Sequence, residues 1–155
     1  MELVNGLDAG LQEGLDGLEQ LRLSLTVLAW VALGSALGGT ARFFVSGVVG
    51  RRVGETFPWG TIVVNVTGAF TIGIIAAAAV RDVPFLVPEP WHFLVVGILG
   101  SYTTVSSFSL QTLALARDGD YFRAAGNILL SVFLCLSAIA LGFATGNEAI
   151  GWGAS

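Results

Sequence analysis

The stretch Gly97-Ile-Leu-Gly-Ser-Tyr-Thr-Thr-Val-Ser-Ser-Phe-Ser109 gathers hydroxyls and glycines in the middle of a chain that otherwise avoids polar side chains. Gly97, Gly100, Ser101, Thr103 and Thr104 are poor helix formers. Within a lipid-crossing segment they predict a break in the helix, because freed carbonyls survive at that depth only where they line a cavity or find partners. Carbonyls released there, for instance from Gly100 and Thr103, are hard oxygen ligands of the kind a sodium ion accepts. Beyond the break, Thr104, Ser107, Phe108, Ser109, Gln111 and Thr112 continue a helix. Thr104, Phe108, Gln111 and Thr112 share related faces by steps of four, seven and eight. The result is a hydroxyl-lined track; the alternative is hydroxyls that bond back to their own helix carbonyls.

Two further polar residues stand in apolar surroundings. Asn65 can donate two hydrogen bonds to an anion or bridge two helices. Arg42 carries a guanidinium into the first apolar segment, where no acid neutralises it. It either lines an anion vestibule or reaches a helix end and the Arg51-Arg52 side. Hydroxyls, an amide and the positive edges of phenyl rings suit an anion, whereas a cation path calls for carboxylates.

The elements that position these groups follow from composition. At 54% hydrophobic and 12% charged over 155 residues, the chain is too apolar for a soluble domain. Four membrane-length segments are predicted, about Leu23 to Gly50, Trp59 to Val80, Trp91 to Ala116 and Tyr121 to Phe143. None of them contains an acid. Short links rich in charge, proline or glycine close them, with tryptophan at two interfaces. Arg51, Arg52, Arg117 and Arg123 fall on one side and Arg22 and Arg81 on the other; this arginine bias puts both termini outside, weakly enough to leave either orientation open. Close-spaced glycines (Gly34, Gly38 and Gly39; Gly60, Gly68 and Gly73; Gly142 and Gly146) suit helix packing in lipid.

Residues 1–22 repeat leucine at three- and four-residue steps opposite an acidic face of Glu2, Asp8, Glu13, Asp16 and Glu19. Four glycines weaken this segment, which reads as a weak amphipathic helix or a partly ordered tail, poorly suited to anionic lipid. The expected division is an N-terminal extension at 1–22, a four-helix transmembrane domain at 23–146 and a tail at 147–155. The single Cys135 offers neither a disulfide framework nor a thiolate cluster. His92, beside Trp91, lies at a span boundary with no Cys, Asp or Glu cluster, so an enzyme is not expected. The composition, acidic and without lysine, carries no sign of a nucleic-acid partner.

These residues resemble the fluoride channel family, Fluc or CrcB. Gly38-Gly39-Thr-Ala-Arg42-Phe43 is similar to its Gly-Ala-x-x-Arg-aromatic motif. Asn65-Val-Thr-Gly68-Ala-Phe-Thr-Ile-Gly73 is similar to Asn-x-x-Gly-x-x-x-x-Gly. Gly100-Ser-Tyr-Thr103-Thr104-Val105-Ser-Ser107-Phe108-Ser109 resembles Gly-Gly-x-Thr-Thr-Phe-Ser-Thr-Phe-Ser. The resemblance runs from about Leu28 to Gly146 and leaves the N-terminal extension outside it.

The resemblance implies an all-α membrane protein, an antiparallel, dual-topology dimer with the third helix broken mid-span. It implies two fluoride paths at the subunit boundary and a central structural sodium, Na+, not transported, held by carbonyls of Gly100 and Thr103 from both subunits. The implied fluoride pathway is Asn65, Thr104, Ser107, Phe108, Ser109 and Thr112; for Arg42 the vestibule and helix-end readings both stand. The paired pore phenylalanines fall on Val105 and Phe108, so one ring is missing. Ser101 replaces a glycine, and Asn127 stands where the fourth span often has an aromatic residue. The expected activity is passive export of cytoplasmic fluoride across the cell membrane. One alternative is a non-conducting or co-conducting subunit paired with an unequal homologue that supplies the missing ring. A small dual-topology exporter is disfavoured, since proton coupling needs a titratable acid within a span.

Overall fold

The computed structural model describes residues 2–54, 56–80 and 88–152, and all regular structure among them is helical. Arg81, counted above in the arginine bias, lies outside the described residues. Helix α1 spans Glu2–Val53, α2 Trp59–Val80 and α3 Pro88–Trp91, which leads into a π-helical segment, His92–Leu99. Then come α4 (Gly100–Tyr102), α5 (Val105–Arg117) and α6 (Tyr121–Trp152). Among the described residues four stretches are long and apolar enough to cross a membrane, Gly10–Val53, Trp59–Val80, His92–Arg117 and Tyr121–Gly151.

Helix α1 passes through Arg22 without interruption. Its 52 residues, at about 1.5 Å each, make it about 78 Å long, against a hydrocarbon core of about 30 Å. It stops where Gly54, at φ 103°, takes the left-handed conformation that glycine tolerates and donates its N–H to the Gly50 carbonyl at 2.9 Å. Arg51 and Arg52 lie in that last turn, where cations complement the helix dipole. The turn from α5 to α6 uses the same device at Gly119, φ 81°. Arg123 bonds Asp120 at 3.0 Å at the start of α6, an exposed pair that adds little stability.

Lipid gives helices no hydrophobic reason to associate, so close backbone approach has to hold them. The core is correspondingly small-chained: Ala69, Ala77, Ala78, Ala124 and Ala138 are buried with Ile62 and Val64. Gly34 and Gly38 of α1 seat against the backbone of the π-helical segment; a Cβ on Gly34 would meet the Phe93 carbonyl, and one on Gly38 the Ile98 carbonyl. Trp30 adds an edge-on ring contact with Phe93 at 5.7 Å. Helices α2 and α6 interlock in the same way, with Gly73 facing the Ile139 carbonyl and Gly142 the Phe70 carbonyl. The large side chains point outward. Phe43, Phe44, Leu129 and Phe133 are exposed, as expected of a lipid-facing surface.

Candidate functional site

The polar residues meet where α4 ends and α5 begins. Between them Thr103 (φ −75°, ψ 156°) and Thr104 (φ −151°, ψ 121°) are extended. Thr103 closes the preceding helix by donating both its N–H, at 3.0 Å, and its hydroxyl, at 2.9 Å, to the Leu99 carbonyl. An extended residue such as Thr104 forfeits its helical partners, and in lipid each unpaired backbone group costs several kcal/mol. Asn65 supplies the replacement from α2. Its amide N–H donates to the Thr104 carbonyl at 2.9 Å, and its amide oxygen accepts from the Thr104 N–H at 2.8 Å. The side chain thereby pairs with Thr104 as a neighbouring strand would.

Thr104 is buried, and its hydroxyl caps α5 by accepting the Ser107 N–H at 3.1 Å. The same hydroxyl donates to Ser107 Oγ at 3.1 Å and lies 3.1 Å from Ser106 Oγ. The Ser107 hydroxyl proton has no acceptor among the described residues. Packing fixes this corner as well. Gly68 leaves the space that the Thr103 methyl fills, and the Tyr102 hydroxyl sits 2.9 Å from Thr67 Oγ1.

Two cavities flank Thr104 and Ser107. One, of about 400 Å³, is bordered by Asn65, Gly100, Thr103, Thr104, Val105 and Cys135, so both residues proposed as carbonyl ligands face the same space as the amide clamp. The other, of about 410 Å³, is bordered by Phe43, Ser46, Pro58, Thr61, Ser107 and Gln111. In it the buried Gln111 Oε1 has no hydrogen-bond partner among the described residues. Thr104 borders the first cavity and Ser107 the second, and the bond between their hydroxyls links the two.

The other predicted residues are placed differently. Thr112 donates its only hydroxyl proton to the Phe108 carbonyl at 2.7 Å and accepts from Asn127 Nδ2 at 2.8 Å, so it has no proton left for an anion in this arrangement. Phe108 is partly buried, whereas Ser109 is exposed and Val105 is 77% exposed, turned away from the body of the chain. Arg42 is partly exposed, borders neither cavity and has no ion pair among the described residues. No group of three His, Cys, Asp or Glu side chains that could hold a metal occurs among the described residues.

Sequence reasoning gave no role to Ser106, Ser46 or Thr61, and read Asn127 only as a departure from an aromatic position. Asn127 and Ser131 carried a signal, because they are polar residues one turn apart in a strongly apolar span. Their side chains are buried and bonded, Ser131 Oγ donating to Asn127 Oδ1 at 3.4 Å.

Residues 29–143 match the family model described as CrcB-like protein, Camphor Resistance (CrcB). The chain is 60% identical over 114 residues to the fluoride-specific ion channel FluC 2 of Bradyrhizobium diazoefficiens, covering 73% of this chain and 83% of that protein. It is 62% identical over 118 residues to a protein of the same name from Rhodopseudomonas palustris, covering 76% and 90%. With FluC of Opitutus terrae the identity is 51% over 119 residues, 76% of this chain and 90% of the relative. All four apolar helices contribute to these matches, as expected of a multi-pass membrane protein. The resemblance first visible in three short motifs thus extends over residues 29–143, and the chain belongs to the CrcB family.

Proposed function

We propose that this chain is a fluoride-specific channel that lets fluoride leave the cytoplasm passively. The observation that carries the reading is the polar corner at Thr104, where an amide clamp and a donor hydroxyl at Ser107 join two cavities between a second and a third span that hold no carboxylate. Relatives at 60% and 62% identity bear the name fluoride-specific ion channel. An inside-negative potential drives an anion outward with about 2.3 kcal/mol per charge per 100 mV, so no catalytic step is required.

In this reading residues 23–146 form the channel, and the extended pair Thr103-Thr104 interrupts the third span at membrane depth. Ser107 offers the free hydroxyl proton, Phe108 a ring edge, and Ser109 and Val105 face a second copy inserted the opposite way. Arg42 stands at the vestibule as a positive charge that draws anions in. Asn65 shapes the corner through Thr104 and keeps one N–H for the anion. Gly100 and Thr103 fit a sodium ion by donor type, being hard carbonyl oxygens on one cavity, but two such oxygens leave its coordination shell incomplete. An antiparallel copy would supply matching oxygens, which makes the ion a structural pin of the dimer. A second, unequal homologue could stand in for that copy and bring the ring that Val105 lacks.

The test is efflux from liposomes holding this chain alone. Fluoride is expected to leave far faster than chloride, and replacing all sodium by a bulky organic cation to weaken the dimer. Equal efflux of the two halides would refute the channel's selectivity; unchanged dimer stability without sodium would refute the pin.

A further inference from the structure

Helix α5 carries the residues around which the channel reading is built, yet none of its own residues is buried. Within one chain its packing is thin, and side-chain hydrogen bonds from α2 and α6 tie it down on both flanks. At its start the tether is Asn65, from α2. Two turns later, on the other flank, Asn127 of α6 donates to Thr112 Oγ1 at 2.8 Å, and Thr112 passes its own proton to the Phe108 carbonyl at 2.7 Å. Asn127 is 1% exposed, and Ser131 occupies its amide oxygen.

We infer that Asn127 is a positioning residue for the anion path: through Thr112 it sets the turn of α5 that bears Phe108 and, one residue before it, Ser107. The inference rests on the channel reading above and assigns Thr112 to the scaffold of the path instead of its lining. A buried amide needs its partner, since an unsatisfied donor in an apolar setting costs far more than a hydrogen bond contributes. The pair thus couples α6 to α5 in one geometry. A helix slide of even part of a turn would leave the Asn127 N–H and the Thr112 lone pair unpaired. Pure packing between apolar faces has no such penalty and tolerates sliding.

The experiment is a double-mutant cycle on the full chain in liposomes, with fluoride and chloride efflux per folded channel and thermal stability measured together. Asn127→Leu and Thr112→Val each remove the bond while keeping the number and branching of the side chain's heavy atoms. Each should lower fluoride efflux about tenfold and narrow the fluoride-to-chloride ratio. The double variant should be no worse than either single one, because both delete the same link. Thr112→Ser keeps the hydroxyl and should keep the flux and the ratio. Additive losses would overturn the inference, as would a fall in stability with per-channel flux and selectivity unchanged, the outcome for a merely structural bond. Wild-type protein without fluoride efflux would remove the channel reading itself; wild-type efflux with an unaffected Asn127→Leu would remove only the positioning role.

Discussion

Replacing Asn65 by leucine is expected to reduce fluoride efflux on the order of 100-fold. The substitution keeps the branched shape of the side chain and removes both groups that serve Thr104, at 2.9 and 2.8 Å. A carbonyl and an N–H are then left without partners in the interior, at about 1–3 kcal/mol each. The chain can relieve this by winding Thr104 into helix, which would carry its hydroxyl away from Ser107 and close the link between the cavities. The measurement is fluoride release from liposomes normalised to monodisperse protein, with thermal stability alongside. A variant that keeps its stability and loses flux would show the amide acting on the anion directly. Loss of both would show it acting through Thr104, and efflux within twofold of the parent protein would dismiss Asn65 from the path altogether.

The second large effect concerns two adjacent glycines. A Cβ at Gly38 would overlap the Ile98 carbonyl, which belongs to a packed backbone and cannot step aside, whereas a Cβ at Gly39 meets nothing within 4 Å. Gly38→Val should therefore push α1 off the π-helical segment, destabilising the protein by about 3 kcal/mol or more. Gly39→Ala should be neutral or stabilising by up to about 1 kcal/mol, the gain in helix propensity. Thermal unfolding in detergent checks the pair. Equal effects of the two substitutions would contradict the close approach of the helices.

How far the sequence foretold this arrangement depends on the range of each interaction. The four spans were legible because their signal, long apolar runs closed by short polar links, is local. The course of α1 was less so. Four glycines in residues 1–22 argue for a weak helix, but no proline or turn sequence separates that segment from the span, and the helix continues through it. Hydroxyls posed the harder question, since a threonine in a span can serve its own helix or a cavity. Thr67, Thr71, Thr103 and Thr112 donate to carbonyls four residues back, whereas Thr104 turns to Ser107. Only the backbone at each position separates these cases: a carbonyl one turn back is within reach in a helix and out of reach in an extended residue. The Asn65–Thr104 pairing joins residues 39 apart, and Asn127–Thr112 joins residues 15 apart across a turn. No periodicity encodes such contacts. What spacing does reveal is that an asparagine in an apolar span must find a partner.

The length of α1 bears on what can come near the membrane at its N-terminal end. With the first span read as starting near Leu23, the helical stretch from Glu2 to Arg22, at about 1.5 Å per residue, would reach about 32 Å beyond the hydrocarbon. Leu11, Leu15, Leu18 and Leu21 are exposed along that length. A rod of this height, standing along the membrane normal, would be a steric fence: it would hold a flat object, whether a second membrane or a large soluble particle, at a standoff of tens of ångströms, while ions and water pass beside it.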